Sequence, residues 1–249
     1  MLFRSEAAIL AKADETDSDK DGISGKPNYV WHKIQATPML GRFGWKANQP
    51  DLLQQTYDAF NGDMGITSRF NSVESSAGQP QHDGLNDDPE VSDEEVKAAT
   101  FYTQSLAVPA RRNTKDVTVI QGRKLFNELN CKGCHVAKWQ TGRHPEYSFL
   151  SNQTIYPYTD LLLHDLGKDL ADNRPDFLAT GSEWRTAPLW GIGLRRLVTG
   201  FTNFLHDGRA RSLQEAILWH GGEAQFAKNA YTRLSKNDRE AVISFLESL

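Results

Sequence analysis

No stretch of this chain approaches the about 20 consecutive apolar residues that a membrane-spanning helix requires. Apolar runs such as Leu161–Leu163 last only a few residues, so a spanning helix is excluded. Positive charge is also scarce: 28 Lys and Arg against 32 Asp and Glu leave a net charge of -4, with the basic residues scattered. Such a surface offers no electrostatic footprint for nucleic acid or an acidic membrane. Cysteine is scarcest, with two in 249 residues, so no disulfide framework holds the fold. None is needed, because 39% hydrophobic content suffices for one large core or two small ones. Met1–Ser5 lacks the basic region, apolar stretch and cleavage site of a secretory signal. The expectation is therefore a cytoplasmic chain, or one whose beginning is missing.

What is present reads as helix and loop. Residues 14–28, DETDSDKDGISGKPN, are too acidic and Gly-rich to pack, and a loosely structured aromatic segment follows them. Residues 71–90 have few apolar side chains and many turn formers, which predicts an exposed connection. Ser92 and Glu95 have capping-box spacing, and Val96, Ala99, Thr103 and Leu106 continue at helical intervals up to Pro109. Residues 110–116 read as a linker. Val119, Gly122, Phe126 and Leu129 then mark one face of a second helix that runs into Cys131. Ser212 and Glu215 again have capping-box spacing, opening a short helix that Gly221 and Gly222 can end. Val242, Phe245, Leu246 and Leu249 stripe a final helix. No strand-period run of useful length, internal repeat or nucleotide-binding glycine pattern stands out. The expected fold is mainly α with long irregular connections, divided into a loop-rich segment 1–115 and a helical domain 116–249.

Both cysteines fall in one pentapeptide, Cys131-Lys132-Gly133-Cys134-His135. Chance would place two cysteines three apart with a histidine next on the order of once in 4,000 such chains. Three chemistries ask for this pattern: a dithiol redox pair, half of a zinc site, or thioether attachment of haem c with His135 as iron ligand. Structural zinc needs four ligands, usually thiolate-rich, and a second cysteine pair is absent. A thioredoxin-like pair belongs between strand and helix of a βαβ unit, whereas the sequence before Cys131 is helical. Haem attachment uses the histidine as well as both sulfurs, against the apolar surface of a helical domain.

A second axial ligand then has to come from the remaining histidines. On the helix opened by Ser212, Leu213, Ala216, Ile217 and His220 share one face, so His220 points to the core and needs a partner there. Taken alone, a histidine on an apolar face is more often a satisfied core residue than a ligand, and the haem motif in the same domain reverses that balance. His206, in a turn before Asp207-Gly208, is the second candidate, and His164, after three leucines, the third. His82 and His144 lie in a loop and a polar turn and are expected to be inert. Met39 and Met64 lie far upstream without a matching setting.

One further constellation is a possible cation loop. Asp17, Asp19, Asp21 and Gly22 reproduce the first half of a calcium loop, with the Ile23 carbonyl as a further ligand. Its twelfth position is Asn28 instead of glutamate. Calcium and a plain acidic loop both fit.

These residues, with GRFGWKANQPDLLQQ, FNGDMGITS, LAVPARR, YPYTDLLLHDLG, EWRTAPLWGIGL and FLHDGRARSLQEAILWHGGEA, resemble the C-terminal half of the bacterial di-haem oxidoreductases. That family also carries the label thiol oxidoreductase and is related to di-haem cytochrome c peroxidases. The resemblance spans nearly the whole chain. It implies a cytochrome c-like haem domain in 116–249, one haem c held by Cys131 and Cys134, His135 as proximal ligand and His220 as distal ligand. Arg209 and Arg211 would pair with propionates, and Pro188 and Trp190 would pack against the ring; solvated arginines and core apolar residues are the plain alternative. The family's second haem motif and a secretory signal are not found in this sequence, which implies a partial sequence whose partner is a missing second haem domain. Haem c attachment further implies a periplasmic protein that exchanges electrons with another redox protein.

Three functions follow. The first is a c-type electron-transfer module of a di-haem peroxidase-like oxidoreductase, since two imidazoles leave no open iron position for peroxide. The alternatives are a thiol oxidoreductase and a metal-stabilised binding module that uses the cysteine pair without haem.

Overall fold

A computed structural model describes residues 6–82, 84–85 and 87–249. The sequence reading of Met1–Ser5 lies outside them, as do Asp83 and Asn86 of the exposed connection.

The frame around the cysteine motif is a crossed pair of helices, α4 (Val117–Glu128) and α8 (Lys236–Ser248). Each starts on a side chain that satisfies free amides of its first turn. Asp116 accepts from Thr118 N at 2.7 Å and Val119 N at 3.2 Å, and Ser235 accepts from Asp238 N at 3.1 Å. The buried face of α4 is Val119, Gly122, Leu125 and Phe126; that of α8 is Ala241, Val242, Phe245 and Leu246. Gly122 lies so close to the carbonyl of Ala241 that no side chain fits between them. Phe126, Phe245 and Tyr158 form an aromatic triangle with centroid separations of 5.2, 5.9 and 6.2 Å. These residues, with Leu129, Leu189, Phe204, Leu213 and Tyr231, make the largest apolar core.

The other expected helices are present. The segment opened by Ser92 is α3 (Asp93–Ser105), with a complete capping box. The segment opened by Ser212 is α6 (Leu213–Trp219), with half a box: Ser212 Oγ accepts from Glu215 N at 3.0 Å, but the Glu215 carboxylate turns to Arg211. Shorter helices are α1 (Glu6–Leu10), α5 (Arg195–Thr199) and α7 (Gln225–Thr232).

The mainly α expectation needs correction, because the content is mixed, with 36% helix and 11% strand. Three antiparallel pairs escaped notice: β1 (Tyr29–His32) with β2 (Thr37–Leu40), β3 (Trp139–Gln140) with β4 (Thr154–Ile155), and β5 (Leu163–Asp165) with β6 (Glu183–Arg185). Strands of two to four residues are too short to display an alternating pattern, and the last two pairs join segments distant in sequence. The segment before residue 70 also holds α2 (Leu52–Met64), started by Asp51 and ended by Gly65 at φ 78°. Its inward face includes Gln54, which donates to Trp31 O and accepts from Lys33 N, so a polar residue stands where the helical period asks for an apolar one.

The N-terminal segment packs onto the region after the motif. Ile9 and Leu40 share an apolar cluster with Leu161 and Leu162. Lys26 and Leu163 exchange two backbone hydrogen bonds of 2.8 Å. The acidic loop is thereby brought to the motif, where Ile23 fills the space over Gly133. No helix among the described residues is long and apolar enough to cross a membrane.

Candidate functional site

Beyond α4 the chain reverses at Asn130, which takes a left-handed conformation with φ 61°, and enters one tight turn over Cys131–Gly133. His135 N then donates to Cys131 O at 3.0 Å, presenting the histidine beside both sulfurs. The thiols are free and half-buried. Burial pushes Cys131 up to about 12 and Cys134 upward too, although the hydrogen bond from His164 pulls Cys134 back in part. Both sulfurs are therefore protonated at neutral pH and are poor nucleophiles for thiol exchange.

The two histidines favoured by the sequence are anchored alike. His135 Nδ1 donates to the Tyr158 carbonyl at 2.9 Å, and His220 Nδ1 donates to the Ala216 carbonyl at 2.7 Å. A carbonyl can only accept, so the proton sits on Nδ1 and the Nε2 lone pair is left for a metal. Neither Nε2 meets a hydrogen-bond partner among the described residues. Burial is the main cause that lowers both imidazoles, His135 to about 4, with the nearby charge of His220 adding to the effect on His135. Both rings are thus neutral at physiological pH. Each lies deep among protein atoms yet stays only half-buried by accessible area, as side chains facing a crevice do. His220 itself caps α6 and follows Leu213, Ala216 and Ile217, all of which pack on the main core.

The other histidines are engaged differently. His164 is buried with both nitrogens bonded, Nε2 to Asp160 at 2.8 Å and Nδ1 to Glu223 at 2.7 Å. Burial opposes its charge, but the hydrogen bonds to Asp160, Cys134 and Glu223 outweigh that and hold it well above the ordinary histidine value. His206 stacks on Trp184 with centroids 3.6 Å apart and planes 13° apart, and Lys46 covers that indole at 4.1 Å. His32 bonds Asp51 at 2.7 Å, His82 bonds Glu74 at 2.8 Å, and His144 Nδ1 accepts from two backbone amides.

Cys134, Asp160 and His164 also bring ligand atoms within 4.8 Å of one another. That set resembles part of a zinc site, but both His164 nitrogens are spent on carboxylates, and a metal would have to displace one of them. Near the α6 start, Arg209 is held by Asp207 at 2.5 Å and lies over Trp219 at 4.8 Å, while Arg211 is exposed and pairs with Glu215 at 3.4 Å. Pro188 and Trp190 are half-buried. In the acidic loop, Asp14, Asp17 and Asp19 converge within 4.8 Å, whereas Asp21 accepts from Ile23 N at 2.8 Å. Exposed carboxylates of this kind are common without a cation, and the loop has no part in the function proposed below.

Sequence reasoning missed Tyr158 and Ala216, which act through main-chain carbonyls and leave no side-chain signal. It missed Asp160 and Glu223 as well. Their signal was faint: carboxylates four residues before His164 and three after His220.

Two thiols beside a neutral imidazole, with a second neutral imidazole offered across an apolar core, suit an iron porphyrin joined through thioethers. The chain is a member of the di-haem oxidoreductase family, whose model, described as "Di-haem oxidoreductase, putative peroxidase", matches residues 3–249. No curated protein and no solved structure matches it.

Proposed function

We propose that this chain is the c-type haem electron-transfer module of a di-haem peroxidase-like oxidoreductase. The observation that carries the reading is the matched anchoring of His135 and His220, each with Nδ1 bonded to a carbonyl and Nε2 left without a partner. Cys131 and Cys134 would hold the haem covalently, and His135 and His220 would ligate its iron. When bound, the haem supplies one-electron chemistry. The chain's own residues supply the rest. Tyr158 and Ala216 orient the two rings, and burial keeps both imidazoles neutral and available. Phe126, Tyr158 and Phe245 exclude water from the proximal side. Because His135 and His220 would both engage the iron, the group would relay electrons and not activate peroxide.

In this reading Arg209 and Arg211 face the propionates, and Pro188 and Trp190 pack at the ring edge. The chain has two cysteines, so it attaches one haem c, and the second haem of a di-haem protein belongs to a partner domain. A redox protein supplies or accepts the electron, and attachment of haem c places the module in the periplasm. The thiol oxidoreductase reading is disfavoured by the high thiol values and by thioether formation, which uses up both sulfurs.

Expression with haem-maturation machinery tests the proposal. A protein whose colour survives denaturation and whose spectrum is low-spin is expected. Colourless protein with two titratable thiols would refute it.

A further inference from the structure

Glu223 stands three residues after His220, in the tight turn Gly222–Ala224, and its two oxygens receive four hydrogen bonds. Oε1 accepts from Ser24 Oγ at 2.7 Å and Asp165 N at 3.0 Å; Oε2 accepts from Ser24 N at 3.0 Å and His164 Nδ1 at 2.7 Å. Three distant pieces of chain, the acidic loop, β5 and the turn after α6, thus meet on one carboxylate. The backbone is equally tight. Gly222 has φ 51°, and a side chain there would strike the Asp165 carbonyl, while Gly167 at φ 80° faces Gly222 N. On its other side His164 bonds Asp160, and its Nδ1 lies 3.5 Å from the Cys134 sulfur. One hydrogen-bonded chain therefore runs from the turn just after His220 to the attachment motif.

Such an assembly exceeds what packing requires. A part-buried carboxylate with four donors is held in one geometry, and an ion pair of a buried imidazolium with carboxylates persists only when its hydrogen bonds are complete. Charges held this close to a redox centre act on it strongly, because little water screens them.

The geometry points to Glu223 as a positioning residue: with His164, Ser24 and Asp165 it fixes the turn that directly follows His220, and the paired charges of Glu223 and His164 set the potential of the iron that His220 would ligate. This rests on the haem reading above. Reduction adds one electron to the centre, so a nearby carboxylate favours the oxidised form and a nearby imidazolium the reduced form.

The test uses the full chain matured with haem and titrated potentiometrically. A pyridine haemochrome spectrum of the unsubstituted protein comes first; without covalent haem the haem reading itself fails, whatever the variants do. With haem present, Glu223→Gln should raise the midpoint potential and His164→Gln should lower it, with the low-spin spectrum blurred in the first by looser His220 ligation. Unchanged potentials, or shifts of the same sign in both variants, would overturn the assignment. Should Glu223→Gln yield no coloured protein, His164→Gln decides alone. If neither accumulates, Ser24→Ala decides: it leaves the carboxylate less compensated and should lower the potential, and no shift overturns the inference.

Discussion

Gly122 of α4 lies directly beneath the carbonyl of Ala241 in α8, and this contact sets how closely the two helices that frame the cysteine motif approach. Four residues further along each helix, the pair Phe126 and Phe245 continues the seam. Gly122→Ala should therefore destabilise the protein. Helix propensity by itself favours alanine by about 1 kcal/mol. The added methyl, however, meets rigid backbone, and overpacking of this sort costs about 1–3 kcal/mol. A net loss is expected, read as a lower urea midpoint; an unchanged or higher midpoint would show that α4 and α8 can separate freely.

His135→Ala and His220→Ala should differ in consequence. In the matured protein each removes one proposed axial ligand, so each should abolish the low-spin spectrum and open an iron position. Only His220→Ala should be restored by added imidazole without loss of attached haem, since His135 sits inside the attachment motif. Absorption spectra with and without imidazole check this, and an unaltered His220→Ala spectrum would transfer the ligand role elsewhere.

The stability of the haem-free chain should depend on pH through Glu223 and His164. Burial would raise Glu223, but the bonds from His164, Ser24 and Asp165 N outweigh it and bring it down from 4.5 to about 2. A lowered carboxylate stabilises the fold fully above its ordinary value and loses that contribution as pH falls from 4.5 toward 2. His164 is raised above its ordinary 6.5, so its contribution is full below 6.5 and fades as pH climbs through the raised value. The pair should contribute most between about pH 4.5 and 6.5. Urea unfolding of the parent and Glu223→Gln, compared across that range and below it, should show their difference largest inside the window and shrinking in acid.

The thiols should be slow to react while the haem-free chain is folded. Burial keeps Cys131 and Cys134 protonated, with Cys131 at about 12. Labelling with a thiol reagent at neutral pH should become many times faster on adding denaturant. Rapid labelling of the native chain would restore the thiol-exchange reading.

Losing the cap of α4 should be felt at the motif it leads into. Asp116→Ala leaves the Thr118 and Val119 amides without their acceptor and should lower the thermal midpoint. Thermal unfolding measures it, and Asp116→Ser should recover most of the loss.

Local chemistry in the sequence determined α3, α4 and α8 and the cysteine motif, and made His220 the candidate ligand, because caps, helical spacing and a five-residue pattern are written in near neighbours. The short strand pairs were illegible, since β5 and β6 stabilise each other across a long separation and neither carries a period of its own. α2 hid for a related reason: Gln54 faces inward because β1 lies there to receive its hydrogen bonds. At the site, the residue types for haem attachment were readable, whereas the carbonyls of Tyr158 and Ala216 and the meeting of Ser24, Asp160, His164 and Glu223 were decided by tertiary structure alone. Hydrogen bonds and ion pairs act over about 3 Å whatever the distance along the chain. Only the folded backbone can bring residue 24 to residue 223, and that contact joins the acidic loop to the turn after His220.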